Sequence, residues 1–218
     1  MKNIFLVLLL FLSINAYSQP CVTKFLGIPI DGYKSDMIQQ LEQKGFEYDP
    51  IDDCLRGEFN GYDVLLFVVT DNNKVYRIMV ADQNWTNEVG IRIRFNKLCS
   101  QFEKNAKYRK PLFAEDYKLP EDTDISYDIS VKHKRFEASY YQIGSEEDLA
   151  FDSKMCTELH NSSNDKDTTS KSFYNYLMCM EEVVSTRSVW FFIDDKYGKY
   201  RILMYYDNEL NHSDGEDL

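Results

Sequence analysis

The stretch VWFFIDDKYGKYRILMYYD, residues 189–207, constrains the fold more than any other. Two apolar runs, 189–193 and 200–206, flank a polar turn that ends at Gly198, which is the pattern of a β-hairpin. A strand sends successive side chains to opposite faces. Val189, Phe191 and Ile193 therefore share one face, and Trp190 and Phe192 share the other. The first set has no polar atoms and is expected to lie against helices. In the second strand the alternating set Arg201, Leu203 and Tyr205 contains the only charge, and a charge must reach water or a partner. Trp190, Phe192, Arg201 and Tyr205 are thus expected on a sheet face that the protein's own core does not fully seal. A patch of that kind marks a contact site, so these four are the candidate binding residues. The six-residue turn leaves the hairpin register open.

The rest of the chain reads as an alternation of helices and hairpins. Residues 36–44 predict a helix with Ser35 as N-cap and Gly45 just past its end. Strands are expected at 55–60, 62–70 and 74–82, joined by Asn60-Gly61 and Asp71-Asn72-Asn73. A second helix follows a Thr86 cap. It presents Ile91, Phe95, Leu98 and Phe102 on one face and ends by Pro111. Ile125, Tyr127, Ile129 and Val131 alternate with polar residues, which predicts a strand with one wet face; its partner is expected at 134–143. Residues 146–160 fit helix or strand. Residues 161–171 read as a polar loop. Phe173, Tyr176, Leu177, Met180 and Val184 stripe a third helix, and the tail from 211 looks frayed. Hairpins interspersed with helices predict an α+β fold, an antiparallel sheet with about three helices packed on it. Residues 64–82 also echo the closing hairpin with a one-residue offset: VYRIMVAD beside KYRILMYYD. One globular domain over 19–210 is expected, with 22–110 and 114–210 as pseudo-repeat halves. The two hairpins would then cover one another or share one sheet.

The N-terminus has the form of a secretory signal peptide: Lys2, nine apolar residues at 4–12, then Ala16 and Ser18 before a cut at Gln19. Export to the periplasm or medium follows. A lipid on Cys21 is the alternative, against which Pro20 counts because a small residue is needed there. Removing residues 1–18 takes one of 25 basic residues and none of the 36 acids, so the formal charge moves from −11 to −12. A field of that sign argues against nucleic acid and bare anionic membrane as partners. Five cysteines remain: Cys21, Cys54, Cys99, Cys156 and Cys179. Export permits disulfides, and an odd number leaves at least one thiol free or paired between chains. At most two disulfides are expected, with connectivity open. Cys99 and Cys179 sit in helical patterns, where cysteine behaves as a small buried hydrophobe.

No catalytic or cofactor signature appears. His133, His160 and His212 lie in turns or polar segments and form no HExxH or nucleophile–base pattern. No GxSxG, phosphate-binding glycine loop, zinc spacing or EF-hand is present, so neither cofactor nor metal is implied. What stands out is aromatic content, 16 Tyr, 14 Phe and 2 Trp, residue types enriched at interfaces. The expected function is a non-enzymatic exported binding module for a protein or glycan ligand, with a homodimer as a further option. The alternative is a hydrolase of glycans or peptides built from dispersed acids.

FLGIPIDGYKSDMIQQLEQKGFEYD, residues 25–49, resembles the opening of a group of secreted proteins from Bacteroides-type bacteria. They share F-x-G-I-P-I-D-G, a short helix and a G-x-F-x-G hairpin, here GEFNGY at 57–62. Their C-termini are similar to residues 196–218. The resemblance implies source and compartment and carries no activity. The element order is also similar to that of β-lactamase-inhibitor-like and PepSY-like periplasmic modules. In such a bacterium Asp167-Thr168-Thr169 resembles an O-glycosylation signal.

Overall fold

The computed structural model describes residues 21–162 and 169–212. The signal-type leader, Asp167 and Thr168 of the glycosylation motif, and the tail from 213 lie outside the described residues. Strands β1 (Lys24–Phe25) and β2 (Ile28–Pro29) form a small hairpin and precede α1 (Lys34–Glu42). Four strands follow: β3 (Glu47–Asp49), β4 (Cys54–Phe59), β5 (Tyr62–Asp71) and β6 (Lys74–Asp82). Next come α2 (Glu88–Lys104), β7 (Tyr108–Arg109), α3 (Ile125–Ser130) and β8 (Glu137–Gln142). Helices α4 (Glu146–Ser162) and α5 (Thr169–Ser185), strands β9 (Ser188–Lys196) and β10 (Lys199–Asp207), and a 3-10 turn (Glu209–Asn211) complete the order. The fold is α+β. Among the described residues, five helices accompany one eight-stranded sheet of order β3-β4-β5-β6-β10-β9-β8-β7, antiparallel throughout, and the β1–β2 hairpin.

Local sequence explains the hairpins. At Asn60-Gly61, Asn72-Asn73 and Tyr197-Gly198 both central residues have positive φ. Those are the conformations a two-residue turn needs to match strand twist. The closing turn is therefore two residues long, not six, and Lys196 faces Lys199. The two echoing hairpins lie side by side in one sheet, β6 against β10. Their one-residue offset has a structural cause. The register of β5 on β6 shifts at Val69/Thr70, which leaves Tyr76 as the extra residue of a bulge.

One face of the sheet carries the core. Val64, Leu66, Ile78, Val80, Val189, Phe191, Ile202 and Met204 point into it. Met37 and Leu41 of α1 and Ile91, Phe95, Leu98 and Phe102 of α2 meet them there. Phe191 stands edge-on to Phe95 at 5.2 Å. The motif that carries the resemblance, residues 25–32, forms β1–β2 and its exit. Phe25 lies beneath Tyr206 at 4.9 Å, Thr23 donates its hydroxyl to the Asp207 carbonyl, and Asn208 donates to the Ile30 carbonyl at 2.7 Å.

Several expectations are corrected. Residues 125–130 are helix α3, capped by Asp124, whose carboxylate accepts the Tyr127 N–H at 2.8 Å. Ile125 and Ile129 are four apart, so the residues that alternate also share a helical face, and Tyr127 and Val131 stay exposed. Strand β8 pairs with β9 and β7 instead. The second helix is capped by Asn87, which accepts the Gly90 N–H, while Thr86 bridges to Tyr200. A Cβ on Gly90 would fall 2.1 Å from the Thr86 hydroxyl, so a larger residue here would have to push the Thr86 side chain aside. Helix α2 ends at Lys104, well before Pro111. Helix α1 starts at Lys34 with no side-chain cap, Ser35 being inside it. Asn211, at the start of the supposedly frayed tail, donates to Asp31 and to the Val75 carbonyl. Residues 146–162 are helical, and Cys179 is not an isolated hydrophobe but is bonded to Cys156, stapling α4 to α5.

Candidate functional site

The outer face of the sheet is built from the side chains that alternate with the core set. Register places them in rows. One row reads Phe67, Met79, Tyr205, Trp190 and Ser139, and the next Leu65, Ala81, Leu203, Phe192 and Glu137. Apart from buried Ala81 and exposed Glu137, every member is partly exposed. A sheet with one wet face ordinarily carries polar residues there. Here two rows are mostly apolar across four strands.

All four residues singled out in the sequence, Trp190, Phe192, Arg201 and Tyr205, fall on this face. Trp190 and Tyr205 are directly opposed across β9 and β10 and stack at 4.3 Å with planes 16° apart. Phe192 is nearly coplanar in orientation with Tyr205, 2° apart at 6.0 Å. Two arginines close the stack. The Arg77 guanidinium sits 4.9 Å from the Tyr205 ring, and that of Arg135 sits 4.1 Å from the Phe192 ring. Ring faces are thus taken up by one another and by guanidiniums, an arrangement that adds cation–π attraction to the stack.

The charged groups of the face and the Trp190 indole are paired. Buried Asp207 accepts two hydrogen bonds from Arg77, at 2.6 and 2.8 Å, and one from the Trp190 indole at 2.8 Å. Arg201 donates to Asp194 at 2.7 Å and lies over Trp85. Arg135 pairs with Glu137 at 2.9 Å. Burial pushes the Arg77 guanidinium down, but its bonds to Asp207 and that carboxylate's charge outweigh this and hold it above its ordinary value. Burial pushes the Tyr205 phenol up, against the pull of Arg77 and Arg135. Sequence reading did not single out Arg77, Arg135, Asp207, Phe67 or Met79. The echo at Tyr76-Arg77 was the available pointer to Arg77, because it aligns with Tyr200-Arg201.

On the helical side a cleft of about 960 Å³ opens between the N-terminal hairpin, the Asn60-Gly61 turn, the end of α2 and β7–β8. Phe59, Phe102, Met204 and Tyr206 give it apolar walls, and Glu58 is its acid. Gln142 ties it together, accepting from the Lys24 N–H at 2.7 Å and donating to the Lys24 carbonyl and the Tyr108 hydroxyl. The Cys21 thiol on its rim is pushed up, chiefly by burial, the opposite of what a nucleophile needs. Among the described residues, no cluster of three or more His, Cys, Asp or Glu is placed to hold a metal, and no helix is long and apolar enough to cross a membrane. No protein-family model matches the chain, and neither a curated protein nor a solved structure matches it.

Proposed function

We propose that the protein is an exported, non-catalytic binding module that docks a protein partner on the outer face of its sheet. The observation that carries this is the pair of mostly apolar rows centred on Trp190, Tyr205, Phe192 and Leu203, on the side away from α1 and α2. A glycan platform needs open ring faces for sugars to stack on, and here the rings turn their faces to each other. Their edges, with Met79, Leu203 and Phe67 in the same two rows, instead suit apolar side chains of another protein surface. Trp, Tyr, Phe, Met and Arg are the residues that interface centres favour. The signal-type leader and the Cys156–Cys179 bond are both compatible with an oxidising, extracytoplasmic setting.

Hydroxyl-radical footprinting tests the reading without knowledge of the partner. Oxidation of Trp190, Phe192, Tyr205 and Met79 is compared between dilute purified protein and protein in intact cells. The expected result is strong protection in cells, with Tyr197, which is 93% exposed at the β9–β10 turn, oxidised equally in both. Equal oxidation of the face in both settings overturns the proposal.

A further inference from the structure

We infer that the occupant of the outer face is a second copy of this chain, docked sheet to sheet about a two-fold axis. The inference rests on the reading of that face as a docking surface and adds the identity of the partner.

Charge is the first ground. The chain as a whole is strongly acidic, at −11, yet the three arginines that flank the aromatic stack are each matched by an acid beside them: Arg77 by Asp207, Arg201 by Asp194 and Arg135 by Glu137. The patch is neutral. An acidic partner would find no unpaired cation there, and a basic partner no unpaired anion. A surface that is itself neutral and apolar at its centre meets neither problem, and this chain carries one.

Geometry is the second ground. An isologous contact brings a patch onto itself. The apolar rows run across the sheet between two polar bands, Arg77 with Asp207 at one end and Arg201 with Asp194 at the other. A two-fold axis in the plane between the sheets, along the strands or across them, lays apolar rows on apolar rows. Each band has zero net charge, so neither orientation forces like charges together. Sheets packed this way stand about 10 Å apart with interdigitated side chains. Burying the face leaves the Trp190 indole N–H and the bidentate Arg77 satisfied by Asp207, and the remaining donors of Arg135 and Arg201 lie at its margins.

The sign of the salt dependence separates this partner from a complementary one. Two copies repel through their net charge and attract through a neutral face, so salt strengthens the dimer by screening the repulsion. A basic partner drawn by the −11 field would be released by salt instead.

The test is sedimentation velocity on the purified mature chain from low micromolar to near-millimolar concentration, at low and at high salt, with footprinting of the same samples. A dimer that tightens at least severalfold with salt, and protects Trp190, Phe192, Tyr205 and Met79 as it forms, is the expected result. Leu203→Lys and Phe192→Glu should each weaken it more than tenfold. Where either variant misfolds by circular dichroism, the concentration-dependent footprint of the unaltered protein decides. A monomer throughout, or a dimer that leaves these residues oxidised, overturns the inference. If the face is nonetheless protected in intact cells, the docking surface stands and the partner is another protein. If it is protected in neither setting, both readings fall.

Discussion

Phe191 and Tyr205 sit on adjacent strands and on opposite faces of the sheet, and they should differ sharply in what they contribute. Phe191 has no exposed surface and packs among Phe95, Phe102 and Tyr140. Truncation to Ala leaves a cavity among these rings and should cost about 3–5 kcal/mol. Tyr205 keeps contact with water, and its Ala variant loses mainly the stack on Trp190 and the Arg77 contact, about 0.5–1.5 kcal/mol. Urea denaturation of the two variants measures the contrast; equal losses would mean that the outer face is a second core. The face to which each side chain belongs was legible in the sequence, because strand alternation is strict. The partners were not. Arg77 and Arg135 reach the stack from β6 and from the segment before β8, and no spacing within 189–207 points to either.

Among the elements, the α4–α5 hairpin stands apart. Its described side chains are absent from the main core cluster, and it is held by the Cys156–Cys179 bond and by buried Arg187, which donates to Asp152 at 2.7 Å. Phe173 is 63% exposed, so the apolar stripe of α5 is only partly covered. A bridge spanning 23 residues contributes about 3 kcal/mol by chain entropy. Reduction should therefore loosen this hairpin first. Amide exchange should speed up in α4 and α5 while β5, β6, β9 and β10 stay protected; loss of protection across the whole sheet would contradict this. Thiol counting checks the same assignment. Half-buried Cys21 should react in the native protein, Cys54 and Cys99 only on unfolding, and Cys156 and Cys179 only after reduction. The pairing could not be read from five cysteines, and the helix at 125–130 was hidden for a related reason. Isoleucines at 125 and 129 satisfy both periods, and the deciding bond, Asp124 to the Tyr127 amide, is a local detail that alternation outweighs on paper.

For the whole molecule, the buried titratable groups set an alkaline limit. Burial pushes the Cys99 thiol from 9.0 up to about 12 and pushes the Tyr140 and Tyr206 phenols up as well. Their folded values lie above their unfolded ones, so the folded chain holds protons that the unfolded chain releases. Stability is then fully present below pH 9 and declines as pH rises toward 12. Melting temperatures measured across that range should fall; a flat profile would mean that these groups are exposed in solution. The α+β class was legible at this scale because turns and alternation are local signals. The meeting of the two halves was not, since it rests on contacts distant in sequence, the β6–β10 pairing together with bonds such as Thr23 to Asp207 and Asn208 to Ile30. Every neighbouring strand pair in the large sheet is consecutive in sequence except β6 with β10, which joins Arg77 to Asp207 across 130 residues. The hairpins β4–β5–β6 and β9–β10 can therefore zip up quickly from their tight turns, while the seam must wait for a large loop to close, as must β8 on β9 across helices α4 and α5, at an entropic cost that nothing local offsets beforehand. Until that closure the flanks of β6 and β10 are open strand edges, and a chain caught before its two halves meet is exposed to pairing with the wrong one.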